Sequence, residues 1–171
     1  MIHYREEICR KNNEVAETMT LSYGFLKSME DFAERPAVEV SGKTLTYAQL
    51  FRKAASLAAT LAMHQEEIEP PLTAVFAYRS ETAFSGVLGA LLRGHGYVPL
   101  NRMFPPNRTR TMLQRSGCRS MLVDAQSEKQ LDQVLEGVDY KMIIVLPERE
   151  DVRELEARWP KHRFLGSGEL E

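Results

Sequence analysis

The stretch Leu91-Leu92-Arg93-Gly94-His95-Gly96-Tyr97-Val98-Pro99-Leu100-Asn101 marks a change of backbone direction in this chain. Gly94 can take the left-handed conformation that closes a helix, and Tyr97-Val98-Pro99-Leu100 then reads as a strand. The segment before it, Glu81 to Arg93, carries Ala83, Phe84, Val87, Leu88, Ala90, Leu91 and Leu92 and is apolar almost all round. Such a helix must be wedged between a sheet and a second layer. Gly86 and Gly89 weaken it as a helix, which close approach of its backbone to a neighbour explains.

Working outward, apolar β-favouring runs alternate with helix-length segments. Leu72 to Tyr78 is strand-like, Asn107 to Arg115 helical, Met121-Leu122-Val123 strand-like, Ser127 to Glu136 helical and Met142 to Leu146 strand-like. This alternation predicts right-handed crossovers and an α/β fold, a mainly parallel sheet flanked by helices. Nearer the start, Ala37 to Val40 and Thr44 to Tyr47 flank Ser41-Gly42-Lys43 and predict a β-hairpin. A helix from Leu21 to about Glu34 precedes it. A second, with its apolar stripe on Leu50, Phe51, Ala54, Leu57, Ala58 and Leu61, follows from Tyr47 to Met63. Residues 1–20 are polar and aperiodic and read as an N-terminal extension, with one subdomain over 21–171.

The chain has 171 residues and is 43% hydrophobic, enough to bury a core. Its 22 Lys and Arg balance 24 Asp and Glu, so the net charge of -2 offers no long-range attraction to nucleic acid. No stretch resembles a signal peptide or a membrane span. Cys9 and Cys118 lack any partner at metal or redox spacing, which predicts structural thiols in a cytoplasmic protein.

Two motifs imitate nucleotide loops and fail. Ser41-Gly42-Lys43-Thr44 ends like a phosphate-binding loop, but Ala37 stands where that loop needs glycine, and the context is a hairpin. Arg93-Gly94-His95-Gly96 has Pro99 in place of the third glycine of a dinucleotide fingerprint and follows a helix rather than a strand. His3, His64, His95 and His162 are too scattered to form a zinc pair, so no metal site is predicted, and no nucleophile elbow or catalytic residue is visible.

Four segments carry a resemblance. Gly42-Lys43-Thr44-Leu45-Thr46-Tyr47-Ala48-Gln49-Leu50 resembles the early Leu-Thr-Tyr-x-Glu-Leu motif of AMP-forming adenylate-forming enzymes, with Gln49 replacing the glutamate. The stretch from Leu91 to Asn101 resembles that family's next motif, a helix ending in glycine followed by Ala-Tyr-Val-Pro-Leu-Asp. Phe104-Pro105-Pro106-Asn107-Arg108 and Met112-Leu113-Gln114-Arg115-Ser116-Gly117-Cys118 are similar to the Tyr-Pro-x-x-Arg and Leu-x-x-Ser-Gly-Ala patterns after it. Order and spacing agree from about Leu21 to Leu146. The family so resembled includes adenylation domains of peptide synthetases, D-alanine carrier-protein ligases and acyl-CoA ligases; Gly94-His95 is similar to the D-alanine ligases and Asn101 to the acyl-CoA ligases, so the subfamily stays open.

The resemblance implies the N-terminal subdomain of an enzyme that uses Mg-ATP to adenylate a carboxylic acid, most simply an amino acid. The carboxylate would attack the α-phosphorus, and a carrier-protein phosphopantetheine or coenzyme A thiol would then take the acyl group. The family's lysine-bearing Ser, Thr and Gly-rich phosphate loop has no match between Leu146 and Glu171, since Gly166-Ser167-Gly168-Glu169 lacks lysine. This piece is therefore expected to be an inactive scaffold whose partner is the remainder of the enzyme. Apolar surface exposed around Glu81 to Arg93 would favour self-association. A complete, non-catalytic α/β interaction protein on the same scaffold is the alternative. Arg79 and Ser80 after one predicted strand, and Asn101 and Arg102 after the next, are the candidate cofactor-binding residues, because open α/β sheets place ligands at the strands' carboxyl ends.

Overall fold

The computed structural model describes residues 20–64 and 70–171. Helix α1 (Tyr23–Phe32) leads into a hairpin of β1 (Pro36–Val40) and β2 (Lys43–Thr46), and the long helix α2 (Tyr47–His64) follows. Then come β3 (Leu72–Phe76), α3 (Glu81–Leu92), β4 (Gly96–Leu100), α4 (Pro106–Ser116), β5 (Ser120–Val123), α5 (Leu131–Leu135), β6 (Ile143–Val145), α6 (Arg153–Arg158) and β7 (Arg163–Leu165). The five strands from β3 onward form one sheet in the order β4-β3-β5-β6-β7, every pair parallel. The α/β architecture expected from the alternation is the one observed. All but Thr20 of the expected polar extension lies outside the described residues.

Strand alternation sorts the core into two layers. Ala74, Phe76, Met121, Val123, Ile144 and Phe164 face one side, where α4, α5 and α6 contribute Leu113, Leu131, Leu135 and Leu155. Val75, Leu122, Ile143, Val145 and Leu165 face the other and meet Leu57 and Leu61 of α2, with Val87 of α3 packed alongside. A third cluster, Leu26, Met29, Phe51, Ala54, Ala58 and Leu92, ties α1, α2 and α3 together.

Helix α3 is held on both sides through its glycines. A Cβ at Gly86 would sit 3.1 Å from Leu122 Cδ1 and 3.3 Å from Val75 Cγ1, so this position faces the sheet. A Cβ at Gly89 would sit 3.0 Å from the Ala54 carbonyl oxygen and 3.3 Å from Leu57 Cβ, so this one faces α2. Among the helix's large apolar side chains Phe84 is exposed (42%), while Val87, Leu88 and Leu91 are half-buried. The exposed apolar face expected on this helix is thus narrow, because α2 lies across it.

Local chemistry explains the element boundaries. Ser41 and Gly42 both have positive φ, 54° and 74°, which makes the hairpin loop a two-residue turn whose twist matches its strands. Lys43 is therefore the first residue of β2 and not part of the connector. Gln49 Oε1 accepts the Thr46 amide at 2.9 Å, and the Gln49 amide reaches Thr46 Oγ1 at 3.2 Å. This is a capping box that starts α2, and glutamine fills it as well as glutamate does. Gly94, with φ 81°, closes α3: its amide bonds Leu91 and the His95 amide bonds Ala90, the double bond pattern of a glycine-terminated helix.

On the open edge of β4, the Gly96 amide bonds the Pro71 carbonyl, so by alternation Tyr97 and Pro99 turn away from β3. The missing N–H of Pro99 costs no ladder bond there and blunts the edge.

Three expectations need correction. The helix expected over Ser127 to Glu136 is a 3-10 turn, Ser127–Gln130, followed by the short α5, because Gln130 leaves helical geometry at φ -107° and ψ 2°. Helix α1 begins at Tyr23 and ends at Phe32, inside the expected bounds, and β3 stops at Phe76 before Tyr78. Helix α6 and strand β7 were not expected at all, since six and three residues are too few for an apolar period to register.

At the strands' N-terminal end, Ser120 Oγ donates to Thr73 Oγ1 at 3.1 Å, and Thr73 Oγ1 lies 3.3 Å from His95 Nδ1. Burial, helped by the charge of Arg93, pushes the His95 imidazole down to about 4. Burial and Lys161 lower His162 in the same direction. Both rings are neutral in the folded state at neutral pH, whereas the unfolded chain takes up a proton near the ordinary imidazole value of 6.5. The stability held above that value is therefore lost as pH falls from 6.5 toward about 4.

Two measurements follow from the packing and the imidazoles. In urea unfolding, Gly89→Val should cost about 3 kcal/mol through overpacking against the α2 backbone. Gly24→Ala should cost nothing, since its Cβ would meet no atom within 4 Å. Stability followed between pH 6.5 and about 5 should decline in the native chain, and His95→Asn should flatten part of that slope. An unchanged slope would remove His95 from the account.

Candidate functional site

The parallel sheet presents the C-terminal ends of β3, β4, β5 and β6 along one edge, and each is followed by a loop bearing polar side chains. Asp124, directly after β5, organises this edge. Its Oδ2 accepts the Tyr78 amide at 3.0 Å and the Ser80 hydroxyl at 2.7 Å, and its Oδ1 accepts the Ser127 amide at 2.7 Å. Asp124 is fully buried. Burial pushes its carboxyl up, but hydrogen bonds from Ser127, the Tyr78 amide and Ser80 outweigh that and hold it below the usual carboxylate range. A single carboxylate thus staples the β3–α3 loop to the β5 exit.

The four residues singled out by position do gather here, with different duties. Ser80 caps α3: its Oγ accepts the Ala83 amide at 3.1 Å while donating to Asp124, so its hydrogen-bonding capacity is used within the fold. Arg79 is exposed, has φ 49°, an uncommon conformation for a side-chain-bearing residue, and lies over the Tyr78 ring at 5.2 Å. Arg102 lies over the same ring at 5.3 Å and donates from Nη1 to the Tyr78 carbonyl at 3.1 Å. Asn101 Oδ1 accepts the Met103 amide at 2.9 Å, which shapes the loop through the side-chain oxygen.

Beside this edge a groove of about 650 Å³ runs between the hairpin, α2 and the first turn of α3. At its centre Glu81 binds Lys43 at 3.2 Å and Lys53 at 3.1 Å, and Arg52 lines the same groove. Burial raises the Glu81 carboxyl, and the two lysines together overcome this and lower it. Thr82 donates to Glu148 Oε1 at 2.5 Å. Lys43 therefore braces the hairpin against α3. Further along the edge Arg149 engages Glu128, and also Glu154 at 3.2 Å.

A helix N-terminus ordinarily attracts an anion. Here the turn is served from within the chain: Ser80 Oγ accepts the Ala83 amide, and Asp124 sits behind Ser80. Among the described residues, no group of His, Cys, Asp and Glu could hold a metal ion, and no helix is long and apolar enough to cross a membrane. Cys118 is a free, buried thiol; Cys9 lies outside the described residues. The sequence reading missed Asp124, although a carboxylate placed directly after the apolar run Met121-Leu122-Val123 was a usable signal.

Residues 25–164 match the model of a family described as AMP-binding enzyme. The chain belongs to the AMP-binding enzyme family. It is 30% identical over 114 residues to surfactin synthase subunit 3 of Bacillus subtilis (strain 168), covering 67% of this chain and 9% of that protein. Tyrocidine synthase 3 of Brevibacillus parabrevis is 34% identical over 110 residues, 64% of this chain and 2% of that one. Among solved structures, the Vibrio cholerae adenylation domain AlmE, in complex with glycyl-adenosine-5'-phosphate, superimposes with a TM-score of 0.72 at 26% identity. That match covers 83% of this chain and 27% of AlmE. The chain therefore spans under a third of each of these AMP-binding family relatives and corresponds to the N-terminal part of the adenylate-forming fold.

The role of Asp124 can be measured in this AMP-binding family chain. Asp124→Asn replaces an oxygen that accepts buried amides with a competing donor and should cost about 2–3 kcal/mol in chemical unfolding. Amide exchange at Tyr78 and Ser127 should accelerate beyond the global change. Exchange that rises uniformly through the chain would deny Asp124 its local tether.

Proposed function

We propose that this chain is the amino-terminal scaffold of an enzyme that uses ATP to convert a carboxylic acid, in the first place an amino acid, into an acyl-adenylate. The acyl group would pass to a thiol, on a carrier-protein phosphopantetheine or on coenzyme A. The observation that carries the reading is the superposition of most of the chain on AlmE, an adenylation domain solved with an aminoacyl-adenylate. Its membership of the AMP-binding family and its similarity to two peptide synthases support the amino-acid substrate class.

Within the enzyme the 171 residues supply a rigid sheet edge and none of the reacting groups. Mg-ATP is the implied cofactor of the whole protein. In this reading the start of α3 is closed to its phosphates by the Ser80 cap and the Asp124 carboxylate behind it. The sequence after Leu146 offers no lysine-bearing glycine-rich loop to hold them instead. Nucleotidyl transfer needs cations and aimed N–H donors where charge develops, so the chain by itself should be inert. Asn101, Arg102, Arg79 and Ser80 act in this reading as edge residues that shape loops, rather than as cofactor ligands. The remaining length found in its relatives is its first partner.

Pyrophosphate exchange tests both halves of the reading. A protein carrying these residues together with the remaining length of its relatives should show exchange stimulated by one amino acid, against a panel of amino, aryl and fatty acids. Stimulation by none of them would overturn the assignment. The 171-residue chain should bind Mg-ATP weakly by calorimetry and show no acid-dependent exchange, and tight binding with turnover would refute the scaffold role.

A further inference from the structure

Arg79, Arg102 and Arg108 share a property that sets them apart from the arginines of the β6–β7 region. Arg149, Arg153, Arg158 and Arg163 all pair with carboxylates. Arg79 and Arg102 instead lie over the one Tyr78 ring, and Arg108 lies 4.1 Å over the Phe104 ring. None of the three has an ion-pair partner among the described residues. Arg35 on Phe32 and Arg119 on Tyr140 also stack, but singly and on other parts of the fold.

Two carboxylates of the same sheet edge are committed elsewhere. Asp124 is buried under the Tyr78 amide and Ser80, and Glu81 is held by Lys43 and Lys53. A guanidinium lying on a ring keeps its in-plane N–H groups available for an oxyanion, and the ring restrains its rotamers in advance; Arg102 spends Nη1 on the Tyr78 carbonyl and keeps its other N–H groups for a ligand. Met103, 70% exposed, sits between Arg102 and Phe104 in the same loop. Arginine, tyrosine and methionine around an apolar anchor is the composition of protein interfaces. The groove on this side of the molecule is lined elsewhere, by Lys43, Lys53 and Glu81, so the arginines stand on an open surface and not in a small-molecule cavity.

We propose that the β3–α3 loop, the β4–α4 loop and the first turn of α4, through Tyr78, Arg79, Arg102, Met103 and Arg108, form a docking surface for an acidic segment of a protein partner. The three guanidiniums meet carboxylates, and Met103 seats an apolar side chain beside them. The charge match selects an acidic partner over a basic one. The exposed methionine favours a protein segment over a free phosphate compound. This inference rests on the surface chemistry and is independent of the acid-activating reading.

The probe is a synthetic amphipathic helix with a glutamate-rich face bordered by leucine, titrated by fluorescence into the full 171-residue chain. Binding should saturate, weaken as salt rises and vanish for the same peptide with glutamine in place of glutamate. The double variant Arg79→Gln, Arg108→Gln should weaken it about tenfold, as two exposed charge pairs would. Lys27→Gln, on α1, should leave it unchanged, and matching melting curves keep folding out of the comparison. The Met103 methyl resonance should shift with the peptide. Equal losses in Lys27→Gln would overturn the proposal. So would tighter binding of inorganic pyrophosphate at the same arginines, or a dimer that the same double variant abolishes.

Discussion

Close approach of α3 to two neighbours at once is the constraint on which the rest of the fold depends. Gly86 lets the helix settle on Val75 and Leu122 of the sheet, and Gly89 lets the α2 backbone settle on the helix. Glycine in a helix interior costs about 1 kcal/mol relative to alanine, and the burial of a nearly all-apolar helix more than offsets it. With α3 held in place, α2 and through it α1 are placed too, since Leu26, Met29, Phe51 and Leu92 form a common cluster. The hairpin then reaches the start of α3 through Lys43, and the sheet's carboxyl edge acquires its walls.

That edge is governed by an interior charge. Asp124 joins two loops that come from strands adjacent in the sheet but more than forty positions apart in sequence, as its bonds to Tyr78 and Ser127 show. Because amides and a hydroxyl satisfy its oxygens, the buried carboxylate is stabilised without a cation. The guanidiniums nearby are consequently left to stack on Tyr78 and Phe104 and to face outward. Asp124 thus anchors the β3–α3 loop from within, while Arg79 of that loop and Arg102 of the next lie over the Tyr78 ring.

Apolar period and glycine position made most of the architecture legible. The parallel strands β3, β4, β5 and β6, the hairpin and helices α2, α3 and α4 lie where the residue pattern places them, because each is long enough or bounded sharply enough to show a period. Gly94 closing α3 and Gln49 capping α2 follow from local chemistry alone. Helix α6 and strand β7 escaped notice because a turn and a half of helix and three strand residues depend on the neighbours that bury Leu155 and Phe164. The break at Gln130 escaped for a related reason, since the competing tether from Asp124 to Ser127 comes from outside the segment.

The family and the fold were thus contained in the sequence by itself, since order, spacing and periodicity are properties of the chain read along its length. So was the presence of Arg79, Ser80, Asn101 and Arg102 after two strands at one sheet edge. Only the tertiary structure decided which partners each of them meets: Ser80 bonds Asp124 and the Ala83 amide, Asn101 Oδ1 bonds its own loop, and Arg79 and Arg102 share one tyrosine ring. Hydrogen bonds and ring contacts are satisfied in space, between residues whose separation along the chain carries no trace of the pairing, so a side chain's partner is settled only when the strands have been laid side by side.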